Sequence, residues 1–149
     1  MNSKSQPGSI AGARRRSREL ALQLLFQTEF LPEGFEPSHA VSMFRKFVAD
    51  FQIDNETAEY GGQIFLGIAS RLKEIDAIIQ AHSSHWKTSR MGLVDLSLMR
   101  VCVYEMKFNE PAIPPSVAIN EAVEIAKTFG STESSAFVNG ILDHVARSL

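Results

Sequence analysis

Residues 93–107 read LVDLSLMRVCVYEMK, and the fold turns on this stretch. A helix drawn through it is apolar on nearly every side, with Asp95, Ser97, Arg100 and Glu105 as the exceptions. Such a helix belongs at the centre of a fold rather than on its surface. C-terminal to it, Pro111, Pro114 and Pro115 mark a stiff connection, and Pro115 or Ser116 opens the next helix. That helix is expected to turn Ile119, Ala122, Val123, Ala126 and Phe129 inward and to stop at Gly130 in a left-handed cap. Ser131 or Thr132 can cap a last helix, with Glu133 at the positive end of its dipole and Val138, Ile141, Leu142, Val145 and Leu149 as its buried stripe. Gly140 within that helix reads as a point of close helix packing, and Asn139 as a cap for a buried backbone group.

N-terminal to the central helix lies a loop, Ser83 to Gly92, that contains His85, Trp86 and Lys87. Before it, Leu72, Ile75, Ile78 and Ile79 give Leu72 to His82 a helical period, either continuing the preceding helix or kinked from it. That preceding helix opens with Asp54 as a cap and runs through Ile64, Phe65 and Ile68, with Gly61, Gly62 and Gly67 weakening its regularity. Ser38 is expected to cap another helix with Val41, Phe44, Val48 and Phe51 inward. The first helix runs from Ala13 to Phe30, buries Leu20, Ala21, Leu24, Leu25 and Thr28, and ends at Pro32 and Gly34. No strand alternation is present, so the class is all-α with about seven helices.

Composition agrees with one folded domain. The chain has 149 residues, 44% of them hydrophobic and 21% charged, which are globular values that exclude a disordered chain. The expected organisation is a mobile arm over 1–12 and a single domain over 13–149. No apolar signal segment precedes the first helix and no run of about eighteen apolar residues occurs, so a cytoplasmic, non-membrane protein is expected. The one cysteine, Cys102, sits among Leu98, Val101 and Val103 and reads as a small core residue.

Catalytic patterns are scarce. Gly61-Gly62 is followed by no Lys-Ser/Thr, and there is no nucleophile elbow. His82 and His85 have a spacing that could share a metal, but no carboxylate or cysteine lies beside them, so neither metal nor cofactor is expected. Asp95 and Glu105 lie on different faces of one helix, about 15 Å apart along its axis, too far to share one bond-breaking event. Arg100 is expected to meet Glu105 or Glu121 at a helix junction.

The charge distribution is the sharper signal. Lys4, Arg14, Arg15, Arg16 and Arg18 are five of fifteen basic residues and precede the first acidic residue, Glu19. Residues 1–18 therefore carry +5 and residues 19–149 carry −7, which together give the net −2. Cations at a helix start oppose its dipole by roughly 0.3–1 kcal/mol each, so the cluster is unfavourable for the fold and points to a polyanion. Five engaged cations would give a salt slope of about 3.5 on RNA. A solvated charge run, or a helical scaffold whose basic arm binds an acidic protein, is the competing reading. A second candidate surface surrounds Lys127-Thr128-Phe129-Gly130-Ser131, where helix N–H groups and Lys127 could take an anion and Phe129 and Phe137 could face a base. In the bland reading both aromatics lie in the core.

The run Ala13-Arg14-Arg15-Arg16-Ser17-Arg18-Glu19, then Val103-Tyr104-Glu105, then PSVAINEAVEIAKTFG over 115–130, then Phe137-Val138-Asn139-Gly140-Ile141-Leu142-Asp143, resembles the NusB family of bacterial transcription antitermination factors. These segments follow the family's order from Ala13 to the end of the chain. The resemblance implies two small packed helical bundles that bind the boxA element of nascent ribosomal RNA leaders as single-stranded RNA. It implies as partners the ribosomal protein NusE and the RNA polymerase elongation complex, and it admits a homodimer formed through the arginine face. Arg14, Arg15, Arg16 and Arg18 match the family's RNA-contacting helix start, and Lys127 and Phe137 match a second part of that surface. Asp95, at the start of the central helix, is the partner-binding candidate. One departure stands out: the residue before Phe-Val-Asn-Gly is often basic in the family and is Ala136 here. NusB-like domains also occur fused to RNA cytosine methyltransferases, but no catalytic domain is expected in this chain.

Overall fold

A computed structural model describes the backbone of residues 10–149 and the side chains of 12–149. Among these residues the regular structure is seven α-helices and two single-turn 3-10 helices. The helices are α1 (Ile10–Thr28), α2 (Ala40–Asp50), α3 (Asn55–Ser70), α4 (Leu72–Ala81), α5 (Leu93–Lys107), α6 (Pro115–Phe129) and α7 (Ser134–Ser148). The chain divides into two compact units after Ala69. Most of the expected N-terminal arm lies outside the described residues, and its last three residues, 10–12, already belong to α1.

In the first unit, α1 buries Leu20, Ala21, Leu24, Leu25 and Thr28, as its period predicts. Ser17, 1% exposed, donates its hydroxyl to the carbonyls of Ala13 and Thr57, each at 3.0 Å, and so ties α1 to α3. The glycines of α3 do not break it; they let neighbours approach. A Cβ on Gly61 would stand 2.8 Å from Leu20 Cδ2, and one on Gly62 would stand 2.6 Å from Phe44 Cζ, both inside contact distance. The inward face of α2 differs from the expected one. Ala40 and Phe47 are buried and the predicted Phe44 and Val48 are half-buried, whereas Val41 is 45% and Phe51 63% exposed. Ser38 lies within the short 3-10 turn Pro37–His39, and His39 rather than Ser38 occupies the cap position of α2.

Asp54 caps α3 as expected, accepting the Thr57 hydroxyl at 2.7 Å and the Thr57 N–H at 3.0 Å. The hydroxyl, then the N–H, hold its carboxyl below the ordinary value of 3.8. A depressed folded pKa adds stability that is present above the unfolded value and is lost as pH falls through the folded one. Asp54→Ala should therefore cost about 1 kcal/mol at neutral pH. The gap between variant and wild type should close on acidification below the folded pKa. A gap of constant size in thermal melts between pH 7 and 2 would show that the carboxylate is not the cap.

In the second unit, α5 is buried without a break from Leu96 to Met106, and α4, α6 and α7 pack on it. Arg71, with φ −129° and ψ 21°, interrupts the helix between α3 and α4. Arg100 on α5 also reaches a partner on another helix. Its guanidinium donates to both oxygens of Asp76 on α4 at 2.8 Å each, in a bidentate fork. The buried face of α6 is Ala118, Ala122, Ile125 and Ala126, turned from the predicted one, and Phe129 is 41% exposed. Gly130 caps α6 with φ −96° and ψ −174°, an extended conformation and not a left-handed one. In α7, Val138, Ile141, Leu142 and Val145 are buried as predicted, while Leu149 is exposed. Gly140 is exposed with nothing near an added Cβ, so close packing is not its role. Asn139 is exposed as well and caps no buried group.

Candidate nucleic-acid interface

Because α1 begins at Ile10, the arginine run lies one turn inside the helix rather than at its first residues. The dipole penalty fades within that first turn, so it weighs less on these arginines than a start at Ala13 implies. The four side chains also divide into different environments. Arg14 is exposed and lays its guanidinium carbon 3.9 Å from the centroid of the Tyr60 ring on α3. Arg18, one turn on, faces the same ring at 6.0 Å but is only 5% exposed. Arg15 and Arg16 are half-buried. Arg16 Nε donates to the Thr57 hydroxyl at 3.5 Å, and that hydroxyl donates onward to Asp54.

The helix cap of α3 thus orients an arginine of α1. Tyr60, one turn beyond Thr57, holds Arg14 by cation–π attraction, worth roughly 0.5–1 kcal/mol at an exposed site. A cleft of about 280 Å³ opens here, lined by Arg14, Ser17, Glu56, Glu59, Tyr60 and Gln63. The two glutamates limit the positive field on one side of the arginines. Sequence reading missed Thr57 and Tyr60 as supports. Their i, i+3 spacing behind a capping Asp54 puts them on one face, but only the packing against α1 shows what they hold.

The candidates of the second unit are separate. Lys127 pairs with Glu124 at 2.7 Å across the surface of α6, which offsets part of its charge. Phe137 is half-buried, its ring edge-on to Trp86 at 5.9 Å and 86°. The N–H of Ser131 donates to the Ser134 hydroxyl at 2.9 Å, so it is already engaged. Asp95 is half-buried in the first turn of α5, where its charge suits the helix dipole. His82 lies against His144, ring centroids 5.6 Å apart, with its Nε2 3.1 Å from the Ser148 hydroxyl, while His85 is exposed in the loop. Among the described residues no three His, Cys, Asp or Glu side chains form a metal-binding group. Cys102 is buried.

The family model for NusB matches residues 15–147, from the arginine run to the end of α7. The chain belongs to the NusB family. A transcription antitermination protein NusB from Bdellovibrio bacteriovorus is 45% identical over 138 residues, covering 91% of this chain and 96% of that one. Among solved structures, T. maritima NusB superposes with a TM-score of 0.76 at 34% identity, over 90% of each chain. A structure of the antitermination factors NusB and NusE in complex with dsRNA gives 0.78 at 24% identity, covering 92% of this chain and 98% of that one. At that identity the likeness is one of fold. The seven-helix, strand-free architecture read here is thus the NusB architecture.

Proposed function

We propose that this chain is a transcription antitermination factor that binds the boxA element of nascent ribosomal RNA leaders together with NusE and promotes read-through by RNA polymerase. It acts as an adaptor in the cytoplasm, without catalysis. The observation that carries the reading is the array of Arg14, Arg15 and Arg16 on one helix, buttressed from α3 by Tyr60 and Thr57. Guanidinium forks held in this way suit the phosphates of a short single strand. Lys127 and Phe137 extend the RNA surface, and Asp95 contributes to the partner surface. The acidic remainder discourages nonspecific coating by RNA and favours a basic ribosomal protein. Residues 13–149 serve together in binding RNA.

Titration of a labelled single-stranded boxA RNA, with and without purified NusE, tests this. RNA binding that tightens when NusE is added is the expected result. A chain that ignores RNA and instead captures an acidic protein would overturn it. Sizing chromatography on the same samples tests whether a homodimer competes with RNA, since self-association through the arginines would fall as RNA is added.

A further inference from the structure

The loop between α4 and α5 holds the chain's one tryptophan, and Trp86 is 56% exposed. Tryptophans are highly buried on average, so an indole left open to water calls for a reason. Its backbone is firmly placed. The Trp86 N–H donates to the Ser83 carbonyl at 3.0 Å, and Gln80 from the last turn of α4 clamps the loop through both ends of its amide. Gln80 Nε2 donates to the Trp86 carbonyl at 2.9 Å, and its Oε1 accepts the Thr88 N–H at 2.9 Å. Ser83, 6% exposed, anchors the loop's start by donating to the Ile79 carbonyl at 2.9 Å. The edge-on contact with Phe137 engages at most one face of the indole, and more than half of the residue stays open to water.

The charges of the loop itself are cationic. Residues 83–94 contain Lys87 and Arg90 and no acidic residue, in a body that otherwise carries net negative charge, and both cations are exposed. A fixed, solvent-facing aromatic plane beside phosphate-binding charges is what an unpaired base stacks on. We infer that Trp86, backed by Phe137 and flanked by Lys87, is a stacking platform for one unpaired base of single-stranded RNA. The inference rests on the RNA-binding reading above and adds a residue and a contact type to it.

Because Trp86 is the sole tryptophan, its emission reports on this site alone. Adding a short boxA RNA should quench it along the same isotherm that anisotropy of labelled RNA gives. Trp86→Ala should weaken RNA binding by roughly five- to a hundredfold, the range for loss of one stacked base, while Trp86→Phe retains most of the affinity. The salt slope should stay at its wild-type value, since no charge is removed. RNA that binds without quenching and binds Trp86→Ala as tightly as wild type would overturn the platform and leave the RNA reading standing. No binding of RNA at all would overturn both. Quenching by NusE alone, with no further change on adding RNA, would reassign the indole to a protein contact and overturn the platform.

Discussion

Asp76→Ala is expected to lower the stability of the protein by about 3 kcal/mol, near the lower end for breaking a buried ion pair. The asymmetry of the pair sets that figure. The Arg100 side chain is 8% exposed and that of Asp76 28%, so losing the carboxylate strips both 2.8 Å bonds from a charge that water cannot reach. Losing the arginine instead leaves a carboxylate that can hydrate. Arg100→Leu should also destabilise the protein, and changing both residues to leucine should recover part of the Asp76→Ala loss. At this chain length 3 kcal/mol corresponds to roughly 10 °C in Tm. Equal and small losses for the two single variants would mean that the pair behaves like a surface one.

This pair also shows where sequence reading runs out. Arg100 was legible as a buried cation in need of a partner, because it interrupts an apolar helix. The partner that was not legible is Asp76, 24 residues upstream, which takes the bidentate fork. Only the docking of α4 on α5 brings those two together. The central position of α5 was legible because no face of it is polar, so no choice of phase was needed. For α2 and α6 a phase had to be chosen. In α2 the buried side is centred on Ala40 and Phe47, so of the predicted stripe Phe44 and Val48 are half-buried while Val41 and Phe51 lie outside it. In α6 the buried stripe is mostly alanine, because close approach to α5 and α7 selects small residues over the larger Ile119 and Val123. Hydrophobicity ranks those larger residues higher, and so it misplaces the face.

The candidate interface was legible as a charge pattern, not as a set of environments. Four arginines within five residues read as equivalent in the sequence, yet a helix turns about 100° per residue and must aim some of them at its neighbours. Arg18 points at α3 and is buried; Arg14 shares its ring but stays in solvent. Phe129 went the other way, expected inside and found exposed as the last residue of α6. Trp86 carried no motif, and its exposure became visible only once the loop was placed.

These environments change the expected salt dependence of RNA binding, the largest effect predicted for this chain. With Arg18 buried, four of the five N-terminal cations remain to neutralise phosphates, and the slope of log affinity on log salt falls from about 3.5 to about 2.8. A fourfold rise in salt should then weaken binding roughly fiftyfold. Replacing Arg14, Arg15 and Arg16 together by alanine should lower the slope by about 2.1, so the same rise should cost the variant roughly twentyfold less than it costs wild type, from an affinity already reduced at least a hundredfold. Two of the three side chains contribute little to the fold. The Arg16 bond to Thr57 is long at 3.5 Å, and Arg14 contributes only an exposed ring contact. Arg18→Ala should show the opposite signature, losing about 1–2 kcal/mol of stability through its buried stem and the Tyr60 ring, with the slope close to wild type. A triple variant that keeps the wild-type slope would place the phosphates elsewhere. An Arg18→Ala variant that melts like wild type but binds with a reduced slope would return that residue to the interface.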